Sequence, residues 1–388
     1  EKARLQDALM TKAVPGNIDV NIMTKLNRSP NNDPDPLLGD ALSAMRGFAN
    51  STLESSMVFS AGMNQHLYSY TAQLPDFLPR ENQAPKKSII LKVSDYRSAE
   101  IQGKFLAKRG LWVDEYRIES GLNCGGHAFA NKGFLMGPIL EEFKKNKNEL
   151  LEKLRSLYLK ALAQRGISTH FVPTAQKITV QGGIGNFSED QFLLKYYEVD
   201  GTGWGTPFLL VPEVTNVDEK HLIKLAEATE KDVYLSDSSP LNVPFWMLRT
   251  SESEAARLNR IETDKPGSPC NKGFLASSTE FTEHPICTAS HAYQKQKLNQ
   301  LSQTNAGTEQ STGTADTILL KACICHDLAG GATVKYNIDP LATTTVCCGP
   351  NIANFSKIAT LEEMVGHIYG RLSLITNPAR KQMFVQEL

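Results

Sequence analysis

No stretch of this chain comes near the ~20 uninterrupted apolar residues that a membrane helix needs, which excludes a helical membrane span. Charge of one sign is lacking too. The 41 basic and 42 acidic residues leave a formal net charge of −1, so there is no global electrostatic footprint for nucleic acid or an anionic membrane. EKARLQDALMTKAV, residues 1–14, reads as an amphipathic helix fragment and not as a signal peptide. The absence of an initiator Met leads to the expectation that the chain begins part-way through a longer product. Regular cysteine spacing is missing as well. Seven cysteines, an odd number, suit a reducing cytoplasm better than a disulfide framework. A GxGxxG turn with an acidic residue some twenty places on is also absent, which removes the dinucleotide fingerprint. No internal repeat is evident.

What is present is alternation. IDVNIMT (18–24), SSMVFSAG (55–62), KKSIILKVSD (86–95), WVDEYRI (112–118) and KITVQ (177–181) read as short strands. Between them, DPLLGDALSAMRGFANST (35–52), RSAEIQGKFLAKRG (97–110) and the long segment 137–166 carry helical spacing. VDEKHLIKLAEATEK (217–231) is a further helix. Strands alternating with helices imply parallel βαβ units. Short strands, each followed by a turn rich in small residues, favour a (β/α)8 barrel over an open doubly wound sheet. The texture changes near residue 250. Residues 1–250 are expected to form the barrel, and residues 251–388 a loop-rich, helical, cysteine-bearing extension. Within the extension, 300–317 reads as a polar surface loop and 361–375 as a helix.

Three glycine turns follow strand-like segments. ESGLNCGGHAFANKG (119–133) places Gly125 and Gly126 before His127. Gly182 and Gly183 lie in QGGIG, and Gly203, Gly205 and Thr206 lie in GTGWGT. In a (β/α)8 barrel the turns after the last two strands commonly hold a ligand phosphate, because glycine lets backbone N–H groups face an anion. The competing reading of the same turns is tight packing between strand and helix. His127 alone reads first as a hydrogen-bonded turn residue. Cys124 reads as a small core filler rather than a nucleophile.

In the tail, Cys323, Cys325 and His326 precede the pair Cys347–Cys348, with Cys270 and Cys287 upstream. CxC plus CC is regular for neither zinc nor an iron–sulfur cluster. Buried thiols are the expected state, with a metal or cluster left open. No residue is assigned as a metal ligand.

KITVQGGIGNFSEDQFLLKYYEVDGTGWGTPFLLVPE resembles the seventh and eighth strand segments of the nitronate monooxygenase (2-nitropropane dioxygenase) family. That family of FMN-dependent barrels also includes FMN-dependent enoyl-thioester reductases. CGGH at 124–127 is similar to the family's AGGH after its sixth strand. LKVSDYRSA (91–99) is similar to the fifth-strand segment, and IDVNIMT to the third. The family's first two strands have no counterpart, which implies a barrel whose N-terminal strands are missing or supplied by another chain. The resemblance spans roughly residues 10–250.

The resemblance implies FMN as cofactor. Asn21 and Lys92 would contact the flavin, and Gly125 and Gly126 would turn the chain beneath it. Gly182, Gly183, Gly203, Gly205 and Thr206 would lie at its phosphate. His127 would face the substrate and take a proton from carbon or orient it, work that suits a neutral imidazole. Two departures stand out. Cys124 replaces the family's alanine, and Phe129 replaces a glycine, narrowing or closing the pocket. The implied function is an FMN-dependent oxidoreductase acting on a small nitronate-like or carbon-acid substrate. The alternatives are an enoyl-thioester reductase using a nicotinamide donor, or a non-catalytic flavin-binding scaffold. The expected partners are a small-molecule substrate and, if the chain self-associates, its own copy. Neither nucleic acid nor membrane is expected.

Overall fold

The alternation of apolar runs and amphipathic segments folds into one six-stranded sheet whose strand order is the chain order. The computed structural model describes residues 1–13, 16–22, 35–60, 62–81, 83–128, 135–269, 273, 275–304, 309–324 and 326–388. Helix α1 (Lys2–Met10) precedes β1 (Val20–Ile22), and α2 (Asp40–Ala49) leads to β2 (Ser56–Phe59). Helix α3 (Gln65–Thr71), β3 (Ser88–Val93), α4 (Tyr96–Ala107) and β4 (Glu115–Glu119) follow. Then come α5 (Met136–Gln164), β5 (Lys177–Gln181), α6 (Phe187–Lys195) and β6 (Gly201–Gly203). The pairs β1–β2, β2–β3 and β5–β6 are parallel. Doubly wound sheets reverse their strand order at a switch point, and this sheet does not. An α/β chain with strands in sequential order is the topology of a run of barrel units.

The sequence explains the elements. Met57, Val58 and Phe59 of β2 are all buried, as a strand covered on both faces requires. In α2, Ala41, Leu42, Met45 and Phe48 repeat at helical spacing and are the residues it buries. Asp95 caps α4 by accepting from the Ser98 N–H, and Asn186 caps α6 by accepting from the Glu189 N–H.

The chain divides into two compact units. The first comprises Glu1–Arg117 with Asn146–Lys177, and the second Ile118–Lys145 with Ile178–Leu388. The extension expected from residue 251 therefore belongs to the same unit as 178–250. That unit continues with α7 (Glu219–Glu227) and an antiparallel hairpin of β7 (Val233–Ser236) and β8 (Phe245–Leu248). It ends with α8 (Glu252–Glu262), α9 (His291–Thr304), α10 (Glu309–Leu320), α11 (Gly330–Lys335) and α12 (Leu361–Ile368). The segment 300–317, expected as a loop, is helical over 300–304 and 309–317. Its Gln, Glu and Ala residues tolerate a helix well even where little apolar surface is buried. Helix α12 opens with a Thr360–Glu363 capping box and stops short of 375, because Gly370 takes a left-handed conformation with φ of +71°. Among the described residues, no helix is long and apolar enough to cross a membrane.

One buried carboxylate in the first unit bears on stability. Asp114 lies just before β4, and its Oδ2 accepts the Ile89 N–H at 3.2 Å. Burial pushes its pKa up to about 6. A carboxyl raised on folding contributes stability that is full below its unfolded pKa and lost as pH rises through about 6. Asp114→Asn keeps an acceptor for Ile89 and removes the charge. Urea unfolding should therefore find the variant more stable above pH 7, by at most about 3 kcal/mol, and no more stable than the parent at pH 4. Equal stability at both pH values would show that the carboxylate is not held at a cost.

Candidate active site

The end of β4 passes directly into the first glycine turn. Gly126 adopts φ of +86°, a conformation L side chains avoid, and its carbonyl accepts from Trp246 N at 2.9 Å. Trp246 Nε1 donates to the Leu122 carbonyl at 2.7 Å, and Ala128 N donates to the Pro244 carbonyl. The segment carrying His127 is thus pinned along β8. The His127 ring stands edge-on to Phe245 at 4.9 Å, and its Nε2 lies 2.8 Å from Ser239 Oγ. Ser239 is buried, and its hydroxyl also accepts the Leu241 N–H. Lys321 Nζ donates to the carbonyls of Asp237 and Ser239, fixing the loop that carries the serine. His127 is therefore a half-buried imidazole held in one orientation. Phe129 lies outside the described residues.

The glycines of this turn face the chain itself. A Cβ added to Gly125 would lie 2.9 Å from the Cys347 carbonyl oxygen and 3.1 Å from Gly349 N. One on Gly126 would lie 2.8 Å from Cys347 Sγ. The backbone at 347–349 rests on the turn. Cys347 is exposed, whereas Cys348 is buried and its thiol is pushed up to about 12 by that burial, so it stays protonated. Cys124 is half-buried and donates weakly to the Gln181 carbonyl at 3.7 Å.

The turn after β5 is closed more thoroughly. Its carbonyls are claimed one after another: Gly183 by Arg380 Nη2 at 2.8 Å, Ile184 by Asn351 Nδ2 at 3.1 Å, Gly185 by His367 Nε2 at 2.9 Å. His367 Nδ1 accepts the Leu374 N–H, so Nε2 is the protonated nitrogen and the ring is neutral. Burial lowers its pKa, consistent with that state. Gly185 N donates to Glu189 Oε2 at 2.8 Å. Glu189 in turn pairs with Arg380 through contacts of 2.8 and 2.9 Å, each side chain 4% exposed. A Cβ on Gly185 would fall 2.3 Å from the guanidinium carbon. Cβ atoms on Gly182 and Gly183 would meet Cys124, Ser120 and Asn123.

Arg380 arrives on the C-terminal segment, which is stitched to the same region. Met383 N donates to Glu189 Oε1, and Asn123 Nδ2 donates to the Met383 carbonyl, both at 2.8 Å. Glu387 accepts from Ser120 Oγ at 2.5 Å and from Met136 N, at the start of α5, at 2.8 Å. Burial raises the Glu387 pKa.

The turn after β6 is open by contrast. Gly205 is exposed, and an added Cβ there would meet nothing within 4 Å. Thr206 begins a short 3-10 helix and its hydroxyl accepts the Gly349 N–H. Gly203 is tighter, with Gln181 Cβ 2.9 Å from its added Cβ. Trp204 donates to Thr202 Oγ1 and meets the edge of His367, so it is wedged in place.

Asn21 and Lys92 belong to the first unit. Asn21 is exposed in the middle of β1, and Lys92 is half-buried near the end of β3. Of the tail cysteines, Cys287 and Cys323 are buried in a small apolar cluster with Ala289, while Cys270 and Cys325 lie outside the described residues. Among the described residues no group of three or more His, Cys, Asp or Glu side chains is arranged to hold a metal. Ser239, Glu189 and Arg380 had no signal in the sequence that would single them out.

The residues fit FMN unevenly. Gly205 leaves room for an anion, whereas the Thr206 hydroxyl already accepts the Gly349 N–H. The turn at 183–185 leaves none, because its inner side is filled by side chains and one amide is given to Glu189. The paired glycines 125 and 126 are covered by 347–349 and offer no open face to a flat ring.

No protein-family model matches the chain, and no curated protein matches it. Solved structures similar to it include the following two. One is a single-residue mutant of FabK from Thermotoga maritima, with 12% identity, TM-score 0.44, and coverage of 95% of this chain and 80% of that one. The other is the enoyl reductase domain of MlnA from the macrolactin biosynthesis cluster of Bacillus amyloliquefaciens. Its identity is 13% and its TM-score 0.46, with coverage of 91% of this chain and 79% of that one.

Proposed function

We propose that the chain is a flavin-dependent oxidoreductase of the nitronate monooxygenase and enoyl reductase kind, with FMN as the flavin. The observation that carries this reading is positional. His127, the 182–185 turn and the 203–206 turn follow β4, β5 and β6, at the C-terminal ends of successive strands where α/β folds place their ligands. The sequence similarity of those three turns to the family supplies the cofactor assignment.

In this reading His127 is the group that meets substrate. A neutral imidazole can remove a proton from a carbon acid or hold the acceptor end of an unsaturated thioester. Ser239 and Phe245 contact the ring, so it enters the reaction already oriented. Gly205 supplies the open end of the phosphate place, with Thr206 beside it. The nitronate is proposed as the first substrate class; the Cys124–His127 turn is similar to that of the family as a whole and supports both classes. The enoyl thioester is the second substrate class.

Anaerobic mixing of the FMN-loaded protein with each donor separates the two classes. Rapid bleaching by a nitronate, with little by NADH or NADPH, is the expected result. Rapid bleaching by a nicotinamide would move the assignment to enoyl reduction. No bleaching by either, with flavin stoichiometrically bound, would leave a binding scaffold.

A further inference from the structure

We propose that Cys287 and Cys323 are a redox-sensitive pair that closes to a disulfide under an oxidising thiol poise, and that the bond braces the loop carrying Ser239. Four cysteines of the tail fall into two places. Cys347 and Cys348 lie at the glycine turn, whereas Cys287 and Cys323, 4% and 8% exposed, share one buried cluster with Ala289, against which Leu275 packs. Between Cys287 and Cys323 run α9 and α10, which contact each other. Gln294 Nε2 donates to the Lys321 carbonyl at 2.8 Å, tying the start of α9 to the end of α10. Ser268 lies between the two cysteine-bearing segments. Its N–H donates to the Ala289 carbonyl at 2.8 Å, and its hydroxyl accepts the Cys323 N–H at 3.0 Å. The two sulfurs therefore flank the base of one helical pair.

Little else holds this part of the chain. Between α8 and α9 the described residues form isolated bridges but no helix or strand, and the buried cluster beside them is made of small side chains. Loop-rich stretches with so small an apolar core gain most from a covalent staple. The effect reaches the candidate active site through neighbouring residues. Ala322 N donates to the Ser238 carbonyl at 3.0 Å, and Lys321 Nζ holds the carbonyls of Asp237 and Ser239. Fixing Cys323 fixes this segment, and with it the loop whose Ser239 hydroxyl meets His127. The step is thiol–disulfide exchange with a small disulfide, such as oxidised glutathione, as the oxidant. One protein thiolate attacks it and expels a glutathione thiolate, and the second displaces the other glutathione from the mixed disulfide. Two protein thiols lose their hydrogens, one S–S bond forms in the protein as one breaks in the oxidant, and two reduced glutathiones leave.

Refolding in oxidised and in reduced glutathione buffers tests this, because both sulfurs then have access to the oxidant. Peptide mapping should find Cys287 joined to Cys323 in the oxidised sample. Closing the stretch that holds α9 and α10 should raise the melting temperature by about 5 °C or more over the reduced sample. The Ala322 amide should exchange about tenfold or more slowly. Cys287→Ser and Cys323→Ser should each lose the link and both differences. These readouts need no flavin, so they stand or fall apart from the proposed function. Absence of the link, or a link from either residue to Cys270 or Cys325, overturns the pair. Zinc or iron bound stoichiometrically by the purified protein and lost in both serine variants would make the two residues metal ligands and overturn it as well. A mapped link with unchanged Ala322 exchange overturns the bracing of the Ser239 loop.

Discussion

His127→Ala is expected to retain the parent's affinity for FMN and to lose about 10²- to 10⁴-fold in turnover of the substrate, the usual range for removal of a general acid or base. The expectation follows from how the ring is held. Its backbone is fixed by Trp246 N and Ala128 N, and its ring by Ser239 and Phe245. Alanine leaves the backbone bonds intact, so the turn survives. The ring is lost, and with it the contacts to the Ser239 hydroxyl and to Phe245. Ser239 keeps the Leu241 N–H, which limits the damage to the loop. Flavin titration and steady-state rates on one preparation read both quantities. Turnover at the parent rate in a folded, flavin-binding variant would reduce His127 to a turn residue. Loss of flavin affinity together with rate would place the histidine at the cofactor instead.

Arg380→Met is expected to destabilise the second unit by about 3–5 kcal/mol, the cost of leaving one partner of a buried ion pair without the other. Both side chains are 4% exposed, so Glu189 cannot recover water in place. Three further bonds go with the guanidinium, to the Gly183 carbonyl, to Asn351 and to the second carboxylate oxygen. The loss should show in urea unfolding followed by the fluorescence of Trp204 and Trp246. Adding Glu189→Gln to Arg380→Met should recover much of it, because the stranded charge is then gone. A single variant within about 0.5 kcal/mol of the parent, the range of ordinary surface changes, would mean the pair is not buried in solution.

The parallel sheet was legible because its signals are local. Apolar runs such as SIILKV and helical repeats such as that of α2 declare themselves within ten residues, and glycine marks where strands end. The 300–317 segment was misread for the opposite reason. Ser, Thr, Asn, Gln and Gly residues suggest a loop, but Gly313 and its Ser and Thr neighbours lie inside α10, where local propensity does not decide. The β7–β8 hairpin was hidden because its strands are four residues each and joined by a longer loop.

The candidate site divides in the same way. His127 and the glycine turns stood out as local motifs. Their partners did not, because sequence carries no mark of long-range pairing. Glu189 and Arg380 are 191 positions apart, and His127 and Ser239 are 112 apart. The glycines were read as space for a ligand. Gly125 and Gly185 show the other use of a missing Cβ, close approach by the chain's own backbone or side chain.

The central claim, that this fold carries a flavin, is tested most directly by titrating the purified protein with FMN and recording the visible absorption and flavin fluorescence. The account predicts saturable binding of one FMN per chain, with a shifted flavin band and quenched emission. Unshifted bands and undiminished emission at excess protein would contradict it.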